Sequence, residues 1–145
     1  MYESTLPPAG VYTSDALCDW SADCGIGVYD RRLTGTPALC VCTPDFEAVA
    51  VDGRRLDTEA QRRCAIAHEL GHLRTGAMYD RLATPAEVRR AERRADTWAV
   101  YTLIPRDALE RALERGYTEL WQLADLFCVT EKFAASALRL YGFAD

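Results

Sequence analysis

Both histidines of this 145-residue chain fall within five consecutive positions, His68-Glu69-Leu70-Gly71-His72. The run Arg62-Arg63-Cys64-Ala65-Ile66-Ala67 leads into them without a helix breaker, so the spacing is read on an α-helix. There, positions i and i+4 project from one face about one turn apart. Two imidazoles so placed can bind the same Zn2+, and a glutamate after the first histidine stands beside the metal as a general base. A zinc site of this kind takes three protein ligands and keeps a fourth position for water. A second element must therefore pack against this helix face and bring a third ligand. The competing reading is a chance match on an ordinary amphipathic helix, and the presence of a suitable third ligand decides between the two.

Local punctuation defines the helices. Thr58-Glu59-Ala60-Gln61 has the capping-box form, so the motif helix starts at Asp57 or Thr58, and Gly76 is its natural stop. Thr84-Pro85-Ala86-Glu87 opens a second helix with an N-cap, a proline at the first position and a glutamate at the third. That helix is expected over Pro85 to Leu103, ending before Pro105. Glu92, Ala95, Ala99 and Thr102 share one of its faces. The neighbours of Glu92 on that face are small, which allows close approach and makes Glu92 the candidate third ligand. Asp96 lies one turn on, placed to accept the remaining N–H of a ligating histidine, as carboxylates commonly do. Asp80, Glu87 and Asp96 itself compete as ligands. A plainer alternative is that Glu92 and Asp96 pair with Arg89, Arg90, Arg93 and Arg94.

Short apolar runs at Gly25–Tyr29, Ala38–Cys42 and Phe46–Val51 read as strands, the last closed by Asp52-Gly53. Ser14 or Asp15 is expected to cap a short first helix, and residues 1–14 to be extended or flexible. Beyond Pro105, helices are expected over Asp107–Arg115, over Tyr117–Phe127, and from a Thr130 cap to near Gly142. Leu123 to Leu140 has the outline of a helix-turn-helix. Lys132 and Arg139 are the only cations on its last helix, too few for phosphate binding, so core support is the preferred role and direct DNA binding is not expected. Trp20, Trp98 and Trp121 are expected as buried or half-buried anchors.

At 145 residues, 49% hydrophobic and 27% charged, the chain has the size and composition of a single globular domain, 1–145, with a helical subdomain at 105–145. The six cysteines include no CxxC pair, so reduced, partly buried thiols are expected in place of a second metal site or a disulfide framework. No apolar stretch reaches membrane-spanning length and no leader pattern opens the chain, which is expected to work in the cytoplasm. The net charge of −5 is uneven: residues 54–94 hold ten arginines against six acidic groups, leaving −9 elsewhere. Solvated helix faces explain this arginine excess most simply. The alternative is a basic rim that guides an acidic substrate segment.

Taken together, Arg62 to His72, Glu92-Arg93-Arg94-Ala95-Asp96-Thr97-Trp98-Ala99, Leu103-Ile104-Pro105, and the tail Leu123–Thr130 with Ala137–Leu140 resemble the ImmA/IrrE-type metallopeptidases. The resemblance covers roughly residues 46–143, and the first 45 residues match loosely. Asp96 stands where that family often has asparagine. The resemblance implies a small gluzincin-like α+β fold, a short N-terminal sheet packed on the motif helix, and a mainly helical C-terminal half. It implies Zn2+ held by His68, His72 and Glu92, and Glu69 as the catalytic base. It also implies a regulatory role, cleavage of a helix-turn-helix repressor. No histidine remains to stabilise an oxyanion, so Tyr79, Tyr101 or an arginine is left for that task. The second functional class is a regulator that keeps the fold and metal site but acts by binding alone.

Overall fold

The structure is a computed structural model and describes residues 13–145. The expectation of an extended N-terminus therefore lies outside the described residues up to position 12. Helix α1 (Ser14–Asp23) begins one residue earlier than expected, because Thr13 is the cap and accepts the Ala16 N–H. Ser14, expected as a possible cap, is instead buried inside the helix. Its N–H and hydroxyl both donate to the Glu59 carboxylate, tying α1 to the start of the motif helix.

Three strands follow: β1 (Ile26–Asp30), β2 (Ala38–Cys42) and β3 (Glu47–Val51). Their spatial order is β1-β3-β2, with β3 parallel to β1 and antiparallel to β2. Val49 stands at the centre of the sheet, opposite Val28 on one side and Cys40 on the other, and is fully buried. Pro44 and Asp45 form the β2–β3 hairpin turn, where Thr43 Oγ1 accepts the N–H groups of Asp45 and Phe46. Beyond β3, Asp52 is buried and accepts the Leu33 N–H and a two-pronged contact from the Arg54 guanidinium at 2.9 and 2.7 Å. This carboxylate is why the chain turns sharply after the sheet.

Helix α2 (Glu59–Thr75) carries the histidine motif, and α3 (Pro85–Leu103) packs against it. Both open with reciprocal capping boxes, Thr58 with Gln61 and Thr84 with Glu87, as the sequence predicts, and α2 closes on Gly76 in the left-handed conformation. The two helices meet closely at one point. A Cβ built on Gly71 would run into the backbone of Ala95, so only glycine fits where the motif helix crosses α3.

The remaining helices are α4 (Arg106–Glu114), α5 (Leu120–Phe127) and α6 (Glu131–Leu140). α5 starts three residues later than expected, because the capping box is set by Glu119 and Gln122 and not by Tyr117. One apolar cluster runs from Leu17 through Val49, Leu70, Trp98 and Leu123 to Tyr141 and joins the sheet, α2, α3 and the terminal helices. Two polar ties reinforce it. Arg63, buried on α2, donates to the carbonyls of Phe127 and Cys128, both at 2.6 Å, and Tyr141 donates to the Ile104 carbonyl at 2.7 Å. Trp98 is fully buried beside Trp20, but Trp121 is 58% exposed on the outside of α5 and is not the anchor expected. The opposite side of α5 gives Leu123, Ala124 and Phe127 to the core, which leaves Trp121 facing outward. The fold is thus a small α+β arrangement with its sheet at the front and helices behind. No described helix is long and apolar enough to cross a membrane.

Candidate metal centre

The crossing at Gly71 brings the α2 face carrying His68 and His72 within reach of Glu92 on α3. One turn separates Glu92 from the Ala95 contact, so the close approach fixes the carboxylate opposite the imidazoles. Ligand atoms of His68, His72 and Glu92 all lie within 4.8 Å of one another. His68 Nε2 is 2.8 Å from Glu92 Oε2, and His72 Nε2 is 3.4 Å from Oε1 of the same carboxylate. The two rings stand nearly at right angles, 4.8 Å apart. Of the competing ligands, Asp80 accepts the Leu82 N–H, Glu87 caps α3, and Asp96 meets the outer nitrogen of His68.

Each histidine is held from behind through its other nitrogen. His68 Nδ1 lies 2.7 Å from Asp96 Oδ1, and His72 Nδ1 lies 2.6 Å from the Ala77 carbonyl in the turn after α2. If these outer nitrogens carry the protons, the Nε2 lone pairs of both rings point at Glu92, which is the arrangement a metal requires. Two imidazoles and a carboxylate on converging faces match the donor set of a catalytic zinc site, so the residues present fit the ion. Burial works against the His68 imidazolium, but the hydrogen bond and charge of Asp96, with Glu69 and Glu92, outweigh it and raise the pKa above its ordinary value. An ion replacing that proton meets the same field.

A cleft of about 510 Å3 opens on these groups, bounded by Ala38, Leu39 and Cys40 of β2 on one side and by Met78 and Tyr79 on the other. Glu69 lines it, and burial raises its carboxyl pKa, partly offset by the two histidines. Tyr79 donates to Glu92 Oε1 at 2.6 Å, and that contact, with burial behind it, pushes the phenol up to about 12. Tyr101 is not among the cleft residues. It sits near the far end of α3, about two and a half turns beyond Glu92 on the helix, with its ring against Tyr141 at 5.9 Å. Of the two tyrosines expected as oxyanion stabilisers, only Tyr79 borders the site.

Sequence reasoning missed three contributors. The Ala77 carbonyl is invisible to side-chain patterns. Cys40 reads only as a strand thiol, yet it lines the cleft beside Glu69, and burial together with Glu69 pushes its pKa up to about 12. Gly71 left a usable signal: a glycine in mid-helix is unfavourable unless something needs its missing side chain.

The profile of the peptidase M78 family, described as the IrrE N-terminal-like domain, matches residues 38–139. The match begins earlier than the resemblance read from the sequence and takes in β2, the strand that walls the cleft. Among solved structures, a Mycobacterium tuberculosis transcriptional regulator is similar, with a TM-score of 0.68 and 21% identity over 86% of this chain. The chain spans 40% of the length of that protein. No curated protein sequence matches it.

Proposed function

This chain belongs to the peptidase M78, or IrrE N-terminal-like, family, and we propose that it is a zinc-dependent endopeptidase with a regulatory role, cutting a helix-turn-helix repressor-type protein. The observation that carries this reading is the convergence of both Nε2 atoms and the Glu92 carboxylate on one point, with Glu69 in the same cleft. In this reading His68, His72 and Glu92 hold the ion, and Asp96 and the Ala77 carbonyl fix the ring orientations.

Bound there, zinc supplies Lewis acidity, which lowers the pKa of water and polarises a carbonyl. Glu69 is the general base: its carboxylate takes a proton from the attacking water and gives it to the departing amine nitrogen. Partial burial raises the Glu69 pKa, which makes its carboxylate a stronger base toward that proton. Tyr79 turns its hydroxyl from Glu92 toward the developing oxyanion, the one cleft side chain among the described residues with a phenolic donor to offer. β2 forms one wall, and as an edge strand it can receive an extended chain along its outer side.

The regulatory target is a proposal drawn from the resemblance of the sequence to the ImmA/IrrE-type peptidases. It is tested by incubating zinc-loaded protein with a helix-turn-helix repressor encoded beside its gene. A single cut, mapped by mass spectrometry and absent with Glu69→Gln that still holds zinc, supports the reading. Repressor binding with no cut by either form would favour a regulator that acts by binding alone.

A further inference from the structure

Helix α3 carries four arginines around the metal-binding carboxylate: Arg89 and Arg93 form one pair a turn apart, and Arg90 and Arg94 another. Like charges one turn apart repel each other along a helix. The sequence offers Glu92 and Asp96 as their natural partners, but both carboxylates are turned to the histidines. Among the described residues, Arg89, Arg90 and Arg93 take part in no ion pair, while Arg94 donates to the Thr75 carbonyl. The helix therefore holds Arg89, Arg90 and Arg93 near the cleft without a direct ion-pair partner among the described residues.

Arg89, Arg93 and Arg139 line a groove of about 510 Å3 between α3 and α6, where they outnumber its two carboxylates, Glu92 and Asp96, both of which are turned to the histidines. Val88 and Leu140 give it apolar surface, and Glu92 borders both this groove and the cleft. The groove thus adjoins the proposed site of cleavage through Glu92. We propose that it holds an acidic amphipathic segment of the protein substrate, whose carboxylates meet Arg89, Arg93 and Arg139 while its apolar side chains cover Val88 and Leu140. This rests on the peptidase reading above and adds to it a substrate class. An acidic polypeptide fits better than a nucleic acid, because the groove has an apolar lining that phosphates do not use.

The test uses zinc-loaded Glu69→Gln protein, so that nothing is cleaved, and two fluorescein-labelled peptides. One places glutamate and leucine at helical spacing, and the other replaces each glutamate by glutamine. Anisotropy is expected to show the glutamate peptide binding about tenfold tighter at low salt, with the difference shrinking as salt screens the arginines. Adding Arg89→Gln and Arg93→Gln is expected to remove the preference while leaving helical circular dichroism unchanged. Equal binding of the two peptides, no binding of either, or a preference that survives the double substitution would each overturn the proposal. So would a short DNA duplex that binds more tightly with the same arginine dependence. Repressor cleavage by the wild type without the charge preference rejects the groove and keeps the peptidase. Arginine-dependent binding without any cleavage rejects the peptidase and keeps a groove for an acidic partner.

Discussion

Gly71 of the motif helix lies so close to the Ala95 backbone of α3 that no side chain fits between them. This contact sets the distance at which Glu92 faces His68 and His72. Gly71→Ala improves helix propensity by about 1 kcal/mol, but the new methyl meets a backbone carbonyl that cannot move aside as a flexible side chain does. Overpacking of that kind costs about 1–3 kcal/mol, so the loss wins. The variant is expected to unfold at lower denaturant and, because α3 is displaced, to bind zinc more weakly in a chelator competition.

Asp96→Ala removes the hydrogen-bond acceptor behind His68 and leaves the three ligands in place. Loss of such an orienting group typically weakens a metal site by about 10–100-fold. Zinc affinity is expected to fall by that order with little change in the stability of the metal-free protein. Asp96→Asn, which keeps an acceptor oxygen, is expected to recover part of the affinity. Unchanged affinity in both variants would remove Asp96 from the site.

Tyr79 and Tyr101 separate by position. Tyr79→Phe is expected to lower kcat by about 10²-fold, the scale of a lost oxyanion donor, with zinc content retained. Tyr101→Phe, in the packing against Tyr141, is expected to leave kcat unchanged. Equal effects of the two substitutions would show that the phenol of Tyr79 has no special task.

The helical part of this arrangement was legible because its signals are local. Capping residues at Thr58 and Thr84, the stop at Gly76 and the i, i+4 spacing of the histidines each depend on a few neighbouring positions. Glu92 was legible for a related reason, since Ala95 and Ala99 mark a face made for close approach. What stayed hidden depends on contacts between distant segments. Nothing near Cys40 shows that β2 walls the cleft. Nothing near Trp121 shows which side of α5 meets the core. Between Tyr79 and Tyr101 only the three-dimensional path of the chain could choose.

Arg63 reports on the tie between the motif helix and the terminal helices. Replacing it by leucine strips the Phe127 and Cys128 carbonyls of a charged donor inside the core. Hydrogen bonds to charged groups are worth about 1.5–3 kcal/mol each, and removal of one partner leaves the other unsatisfied. Arg63→Leu is expected to destabilise the fold by about 3 kcal/mol in urea unfolding. A change within error would mean that solvent reaches those carbonyls.

Acid stability follows from two carboxylates held below their ordinary pKa values, Asp52 by Arg54 and the Leu33 N–H, and Glu59 by the Ser14 hydroxyl and N–H. A depressed folded-state pKa contributes stability that is fully present above the ordinary carboxylate range. It is lost as pH falls through that range toward the folded-state value. The urea midpoint of metal-free protein is expected to drop on acidification. Asp52→Asn and Glu59→Gln are each expected to lower the midpoint near neutral pH and to converge with the wild type in acid. Parallel curves at all pH values would contradict this assignment.

The most direct measurement is zinc content on purified protein, wild type against Glu92→Ala, by elemental analysis with a chelator titration. A site built from His68, His72 and Glu92 predicts one zinc per chain in the wild type and loss or severe weakening in the variant. Absence of zinc from the wild type, with no uptake when zinc is added, would contradict the metal centre and with it the peptidase. Equal zinc in both proteins would contradict Glu92 as a ligand.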